Sequence, residues 1–218
     1  MTPPPPDIAV LDYEMSNLRS VTKALEGLGA RVRIAHAPSE AHGADAVVLP
    51  GVGNFGEAMV RIRSQGLDVA VQDAVAAGIP VLGICLGVQL LFESSEEAPG
   101  LAGLGVLPGT VRRLRTSRKL PQIGWNRVAW KPGCPLGPAD ADPLLSTYYF
   151  VHTFCCEPAD EELVLGTADY GETFCAAAGR PGLMGVQFHP EKSSRAGLEL
   201  LGRWLAGVAS PAAAAAHA

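Results

Sequence analysis

Residues 83–87 read Gly83-Ile84-Cys85-Leu86-Gly87. They lie between an apolar strand pattern (Ile79, Val81, Leu82, Ile84) and a helical one (Val88, Leu90, Leu91, Phe92). A cysteine at a sharp strand-to-helix turn, with glycine two residues to either side, has the layout of a nucleophile elbow. The glycines remove side chains that would crowd such a turn. The free N–H groups that open the next helix face the sulfur and favour thiolate, the attacking species. The chemistry implied is acyl transfer through a thioester.

That chemistry needs a base. Of His36, His42, His152, His189 and His217, His189 stands out through Val186-Gln187-Phe188-His189-Pro190-Glu191. Pro190 biases His189 toward extended backbone, and residues two apart in an extended segment face the same side. A carboxylate at Glu191 would then orient the imidazole and stabilise its charged form. The expected triad is Cys85 as nucleophile, His189 as base then acid, and Glu191 as orienter. An oxyanion hole needs two N–H donors. Leu86 supplies one by elbow geometry, and the Pro50-Gly51-Val52-Gly53 loop supplies the other, from Val52 or Gly53. This loop lacks the Gly-Lys-Ser/Thr ending of a phosphate-binding loop. Gln89, one helical turn after Cys85, is placed to bond a substrate or, equally, to face solvent.

The first half of the chain must build the platform for these groups. It predicts strands at Ile8–Leu11, Arg31–Ala35, Ala46–Leu49 and Ile79–Ile84. Between them lie helices, one capped by Ser16 with Leu18, Val21, Leu25 and Leu28 on a stripe, and others over Glu57–Arg63 and Asp68–Ala77. Gly27, Gly29 and Gly78 are the stops. Alternating strands and helices predict an α/β fold with an open, mostly parallel sheet covered by helices on both faces. Ligands of such sheets bind at the carboxyl ends of the strands, where Cys85 falls. The second half predicts short, mostly antiparallel strands at 106–114, 127–130, 147–156, 163–168, 173–177 and 183–188. A last helix runs over Ser194–Val208, with Leu198, Leu201, Leu205 and Val208 on one face. The expected organisation is a single domain over 7–208, a disordered proline arm over 1–6, and a disordered Ala-rich tail over 209–218.

The 218 residues are 48% hydrophobic and 18% charged, which is a globular composition. A net charge of −5 argues against a nucleic-acid surface. The basic run from Arg112 to Lys119 is read as a solvated face, with a docking rim as the alternative. No apolar run reaches the roughly 18 residues that cross a membrane, and the N-terminus lacks the layout of a signal peptide, so a cytoplasmic location is expected. Cys85, Cys134, Cys155, Cys156 and Cys175 show no metal-ligand spacing and read as free thiols. No metal and no cofactor are expected.

With these residues in place, the chain resembles the class I, triad-type glutamine amidotransferases, whose sheet is flavodoxin-like. More narrowly it resembles the glutaminase subunits of imidazole glycerol phosphate synthase, over about 7–208. The narrower match rests on Leu49-Pro50-Gly51-Val52-Gly53-Asn54-Phe55, Gln89 to Glu97, Ile123-Gly124-Trp125-Asn126, Tyr149-Phe150-Val151-His152 and Gly185 to Ser193. The resemblance implies hydrolysis of L-glutamine to glutamate and ammonia in histidine biosynthesis. It implies a heterodimer with a (β/α)8-barrel cyclase that uses the ammonia to turn PRFAR into imidazole glycerol phosphate and AICAR. It places substrate contacts at Gly53, Leu86, Gln89, Glu97, His152 and Thr153, and the partner interface at Asn17, Ile123 and Trp125. Apart from the resemblance, Trp125 would read as a core residue.

Two segments depart from the family pattern. Glu14 and Ser16 stand where glycines are usual, so positive φ there would cost roughly 1 kcal/mol or more per residue. Gln122 and Ile123 replace a usual His-Met pair, which changes interface packing. The competing readings are a glutaminase of pyridoxal phosphate or anthranilate synthesis, a non-catalytic module of the same fold, and a cysteine hydrolase that acts alone.

Overall fold

The computed structural model describes residues 4–138 and 143–208. The expected tail, 209–218, and the start of the expected arm, 1–3, lie outside the described residues. Within the rest of the arm, the Pro6 carbonyl accepts the Arg31 N–H at 2.9 Å.

The first half runs β1 (Asp7–Leu11), α1 (Leu18–Gly27), β2 (Arg31–Ala35), α2 (Pro38–Ala41), β3 (Ala46–Gly51), α3 (Phe55–Ser64), α4 (Leu67–Ala76), β4 (Val81–Cys85) and α5 (Leu86–Leu90). The second runs β5 (Ser94–Ser95), β6 (Gly109–Arg113), β7 (Gln122–Arg127), β8 (Ala129–Trp130), β9 (Thr147–His152), β10 (Phe154–Pro158), β11 (Val164–Asp169), β12 (Thr173–Arg180), β13 (Leu183–Val186) and α6 (Ser194–Val208).

Strands β2-β1-β3-β4-β13 form a parallel block in that order, and β12-β10-β6 extend it antiparallel. β5 pairs parallel with β6 at the far edge, and β8 joins through β11 to β12. The mostly parallel α/β sheet with added antiparallel strands is therefore present. Its inner parallel strands β1, β3, β4 and β13 are buried on both faces because both are covered, whereas the edge strand β2 carries Arg31 and Arg33 and is largely open. Along β1, Ile8 and Val10 enter one core with α1 and α6, while Ala9 and Leu11 enter the other with α3 and α4.

Several local expectations change. Asn17, not Ser16, precedes α1, and neither side chain caps it; the Ser20 hydroxyl instead donates to Asn17 Oδ1 at 3.2 Å. Pro50 and Gly51 belong to β3 rather than to a loop, because they pair with Ile84 and Cys85. Helix α5 stops at Leu90, so its dipole is that of little more than one turn. Leu198 is exposed, since the buried stripe of α6 runs through Gly197, Leu200, Leu201, Trp204 and Leu205. The 147–156 segment divides at Thr153: β9 pairs with β7 in a separate two-stranded sheet, and β10 joins the main one. β7 was not expected as a strand; pairing with β9 forms it.

Arg112 is not a solvated charge. It is buried, forks onto both oxygens of Glu172 (2.9 and 3.0 Å), and donates from Nε to Glu157 at 2.8 Å. Arg118 stacks over the Tyr170 ring.

The close approach of β3, β4 and α5 depends on glycine. A Cβ at Gly83 would lie 2.8 Å from the Val88 backbone, and one at Gly87 would run into the Leu49 carbonyl. Backbone cannot give way as a flexible side chain can, so Gly87→Ala should cost about 3 kcal/mol or more, the upper end of overpacking. A urea midpoint unchanged from the parent would show that the contact is not tight.

Candidate active site

Cys85 is the last residue of β4 and holds φ 56°, ψ −111°, a conformation that non-glycine residues rarely adopt. The paired strands β3 and β13 fix one side of it and α5 the other. The strain, about 1–3 kcal/mol, turns the sulfur out of the sheet into a cavity of about 280 Å³.

His189 lines the same cavity. Its Nδ1 lies 2.8 Å from Glu191 Oε1, and both side chains are almost fully buried. Burial pushes the imidazole down, but hydrogen bonds with Cys85 and Glu191, and their negative charge, outweigh it and raise it to about 10. The ring's position is set by its backbone. The His189 N–H donates to the Tyr149 carbonyl at 2.9 Å. The Ser193 hydroxyl donates to the His189 carbonyl at 2.6 Å and accepts the Tyr149 N–H at 3.0 Å. Ser193 was not singled out in the sequence; its place one turn after His189 was the available signal.

Val52, Gly53, Leu86, Gln89, Glu97, His152 and Thr153 all line this cavity, together with Pro121, Val151, Phe154 and Lys192. The structure thus brings together every residue expected at the triad, oxyanion hole and substrate pocket. Lys192 and Pro121 were not anticipated. One expectation is not met in this arrangement. The Val52 N–H donates to the Met15 carbonyl at 2.8 Å, so it is not offered to an oxyanion. The cause is the loop after β1, whose Met15 side chain also packs against Gly53.

That loop contains the first of the two departures from the family pattern, Glu14 and Ser16. Only Glu14 takes positive φ (64°); Ser16 does not. The strain at Glu14 is offset locally. Its N–H donates to Asp12 Oδ1 at 2.8 Å, and its carboxylate pairs with Arg61 at 2.8 Å.

The cavity floor is a buried polar network. Gln89 Nε2 donates to the Phe154 carbonyl and to Gln187 Oε1, both at 3.0 Å. Gln89 is therefore neither solvent-facing nor wholly free for substrate. The His152 ring lies against two oxygens, the Phe154 carbonyl at 2.9 Å from Nδ1 and Gln122 Oε1 at 3.0 Å from Nε2. Glu97 spends one oxygen on the Phe55 N–H at 2.8 Å, which closes the start of α3.

Ile123 and Trp125 sit on β7 and are 63% and 55% exposed. Trp125 rests edge-on against Tyr149, with ring centroids 5.9 Å apart, and is not a core residue. Asn17 is half-buried at the start of α1. A larger cavity, about 430 Å³, opens at the amino ends of β4 and β13 between Ile79, Pro80, Leu183 and Trp204; it holds no nucleophile.

Residues 9–205 match the family model for glutamine amidotransferase class-I. The imidazole glycerol phosphate synthase subunit HisH of Moorella thermoacetica is 48% identical over 89% of this chain and 91% of its own length. The subunit of the same name from Symbiobacterium thermophilum is 46% identical over 90% and 92%. In fold, the chain is similar to PurLQS from Thermotoga maritima (TM-score 0.72, 18% identity, 92% and 99% covered). A glutamine amidotransferase crystal structure superposes with TM-score 0.70 at 22% identity, over 92% and 98%.

Burial holds His152 near a pKa of about 4, below the usual 6.5. The unfolded chain therefore binds more protons at this residue between those values, so His152 costs no stability above pH 6.5 and an increasing amount as pH drops toward 4. The loss amounts to about 3 kcal/mol. Urea midpoints at pH 4.5 and 7 should show it, and His152→Gln should flatten it; an equal slope in that variant would assign the effect to other groups.

Proposed function

The chain belongs to the class I glutamine amidotransferases and, within them, to the HisH subunits of imidazole glycerol phosphate synthase; on that premise we propose how its triad works. It serves histidine biosynthesis as the glutaminase subunit of that synthase. The observation that carries the mechanism is a strained, cavity-facing Cys85 beside an imidazole held charged by Cys85 and Glu191.

Cys85 Sγ attacks the side-chain amide carbon of L-glutamine. The negative charge passes to the amide oxygen, which the Leu86 N–H stabilises, with a donor from the Val52–Gly53 segment joining it once the cyclase is bound. As the tetrahedral adduct collapses, His189 gives its proton to the nitrogen and ammonia leaves. A water molecule, deprotonated by His189, then opens the thioester to glutamate and restores the thiolate. Glu191 keeps the ring oriented throughout. Gln89, Glu97, His152 and Thr153 shape the glutamine pocket around the reacting carbon.

The ammonia passes to a cyclase subunit, a (β/α)8 barrel that forms imidazole glycerol phosphate and AICAR from PRFAR. Ammonia released to water would be protonated and lost, so the partner must cover this site. Exposed Ile123 and Trp125 support β7 as part of that cover, with Asn17 beside the loop that follows β1. Among the described residues no helix is long and apolar enough to cross a membrane, and all five cysteines are free. Both facts support a cytoplasmic enzyme.

Cys85→Ala should reduce glutamine hydrolysis to background while the circular-dichroism spectrum stays native; retained hydrolysis would refute the mechanism. With the Val52 N–H occupied by Met15, the isolated chain should hydrolyse glutamine slowly. The cyclase with its ligand should raise the rate by roughly 100-fold, the worth of one oxyanion donor. Equal ammonia release with and without the partner would contradict this.

A further inference from the structure

Gln187 stands two residues before His189 and is 1% exposed. Its backbone is fixed, since the Gln187 N–H donates to the Ala176 carbonyl on β12 at 2.9 Å. Its side chain meets Gln89 in the floor of the glutamine pocket, where Gln89 Nε2 donates to Gln187 Oε1 at 3.0 Å. Gln187 Nε2 is buried as well, and has no partner among the described residues. An unpaired buried donor is costly, so an orientation that leaves one unpaired needs a cause.

The cause is a backbone carbonyl. That of Phe154 accepts the same Gln89 nitrogen, also at 3.0 Å. A carbonyl can only accept, so Gln89 must turn its NH₂ and not its oxygen toward it. Both N–H bonds of that amide are then spent, one on Phe154 and one on Gln187. Gln187 has to answer with its oxygen, because turned over it would set donor against donor. The sense of the chain is therefore fixed from the Phe154 carbonyl outward. At one end it leaves Gln187 Nε2 orphaned. At the other it leaves Gln89 Oε1, which has no partner among the described residues, to the cavity that Gln89 lines.

We propose that Gln187 is a positioning residue for glutamine hydrolysis: its side-chain oxygen holds the Gln89 amide with Oε1 presented to the pocket, where it accepts an N–H of the bound glutamine. The inference rests on the functional reading above and deepens it.

The orientation matters because of what the substrate offers. Glutamine carries N–H donors on its side-chain amide and on its α-ammonium group. An acceptor at Gln89 suits them, whereas a rotated Gln89 would oppose them with its own NH₂. Phe154 alone would hold one N–H and let the amide tilt; Gln187 supplies the second point. One short segment thus serves both ends of the first turn after β4: His189 bonds Cys85, and Gln187 bonds Gln89 four residues later.

The test uses the full chain, ¹⁵N-labelled in its glutamine side chains, and its complex with the cyclase for rates. In the parent, both side-chain amide protons of Gln89 should exchange slowly with solvent. Gln187→Met keeps the length and removes the acceptor, so that protection should fall at least tenfold. In the complex, its KM for L-glutamine should rise about tenfold, the worth of one hydrogen bond, with kcat within about threefold of the parent. Gln187→Glu keeps an oxygen against Gln89 and should restore KM. Gln89→Leu should raise KM by itself, and adding Gln187→Met to it should change KM no further. Fast exchange of the Gln89 protons in the parent overturns the proposal, as does a parental KM in Gln187→Met. Additive effects in the double variant overturn it too, as does a Gln187→Glu KM equal to that of Gln187→Met, because both mark a purely structural role. The parent's exchange data stand even where a variant fails to fold. A parent complex that hydrolyses no glutamine would instead refute the functional reading, and the exchange data would still decide the orientation of Gln89.

Discussion

The backbone of Cys85 at φ 56°, ψ −111° is the constraint on which this structure depends. A β-branched or bulky residue would not hold that conformation, and a free cysteine would relax from it. It persists because β4 is hydrogen-bonded between β3 and β13, and because α5 begins with the next residue. The two strands must lie close to the helix for this to hold, so Gly83 and Gly87 have no room for a side chain. Gly51, paired with Cys85, is equally confined: the Tyr13 hydroxyl sits where its Cβ would be. A nucleophile aimed at a cavity is thus the product of two close backbone approaches and one close side-chain contact.

The rest of the site hangs on elements that end beside that turn. β13 brings the chain to His189, and Ser193 fastens the His189 backbone to β9. β9 carries His152 and its pairing partner β7 carries Gln122, so the pocket wall and the exposed docking strand share one small sheet. The loop after β1 reaches the other side, where Met15 takes the Val52 N–H. Catalytic power and restraint are therefore neighbours. The triad is assembled, while one oxyanion donor is committed elsewhere, as suits an enzyme whose product is useful only when a partner is present to receive it.

The electrostatics follow from burial with unequal partners. His189 and His152 are both buried histidines in one cavity, and burial acts on both in the same direction. His189 has a carboxylate and a thiol to hold its charge; His152 has a carbonyl, an amide and two phenyl rings, and stays neutral. One pocket thereby contains an imidazole ready to transfer protons and another that only shapes the wall.

Much of this was legible in the residues. Gly83-Ile84-Cys85-Leu86-Gly87 specified the elbow because few sequences tolerate so tight a strand-to-helix turn, and His189-Pro190-Glu191 specified an imidazole with its carboxylate because both needs are met within three residues. The alternating strands and helices of the first half were readable for the same reason: their periodicities are local. What lay beyond the sequence was set by contacts between distant segments. β7 exists because β9 pairs with it, and that pairing alone exposes Trp125 and buries Gln122. Arg112, read as a surface charge, is buried because Glu157 and Glu172 converge on it from two other strands and their ends. The Val52 N–H is occupied because Met15, 37 positions earlier in the numbering, presents a carbonyl to it. Local chemistry named the reacting groups; the tertiary fold decided their protonation, their exposure and which backbone donors are free, since each of those depends on partners that chain proximity does not supply.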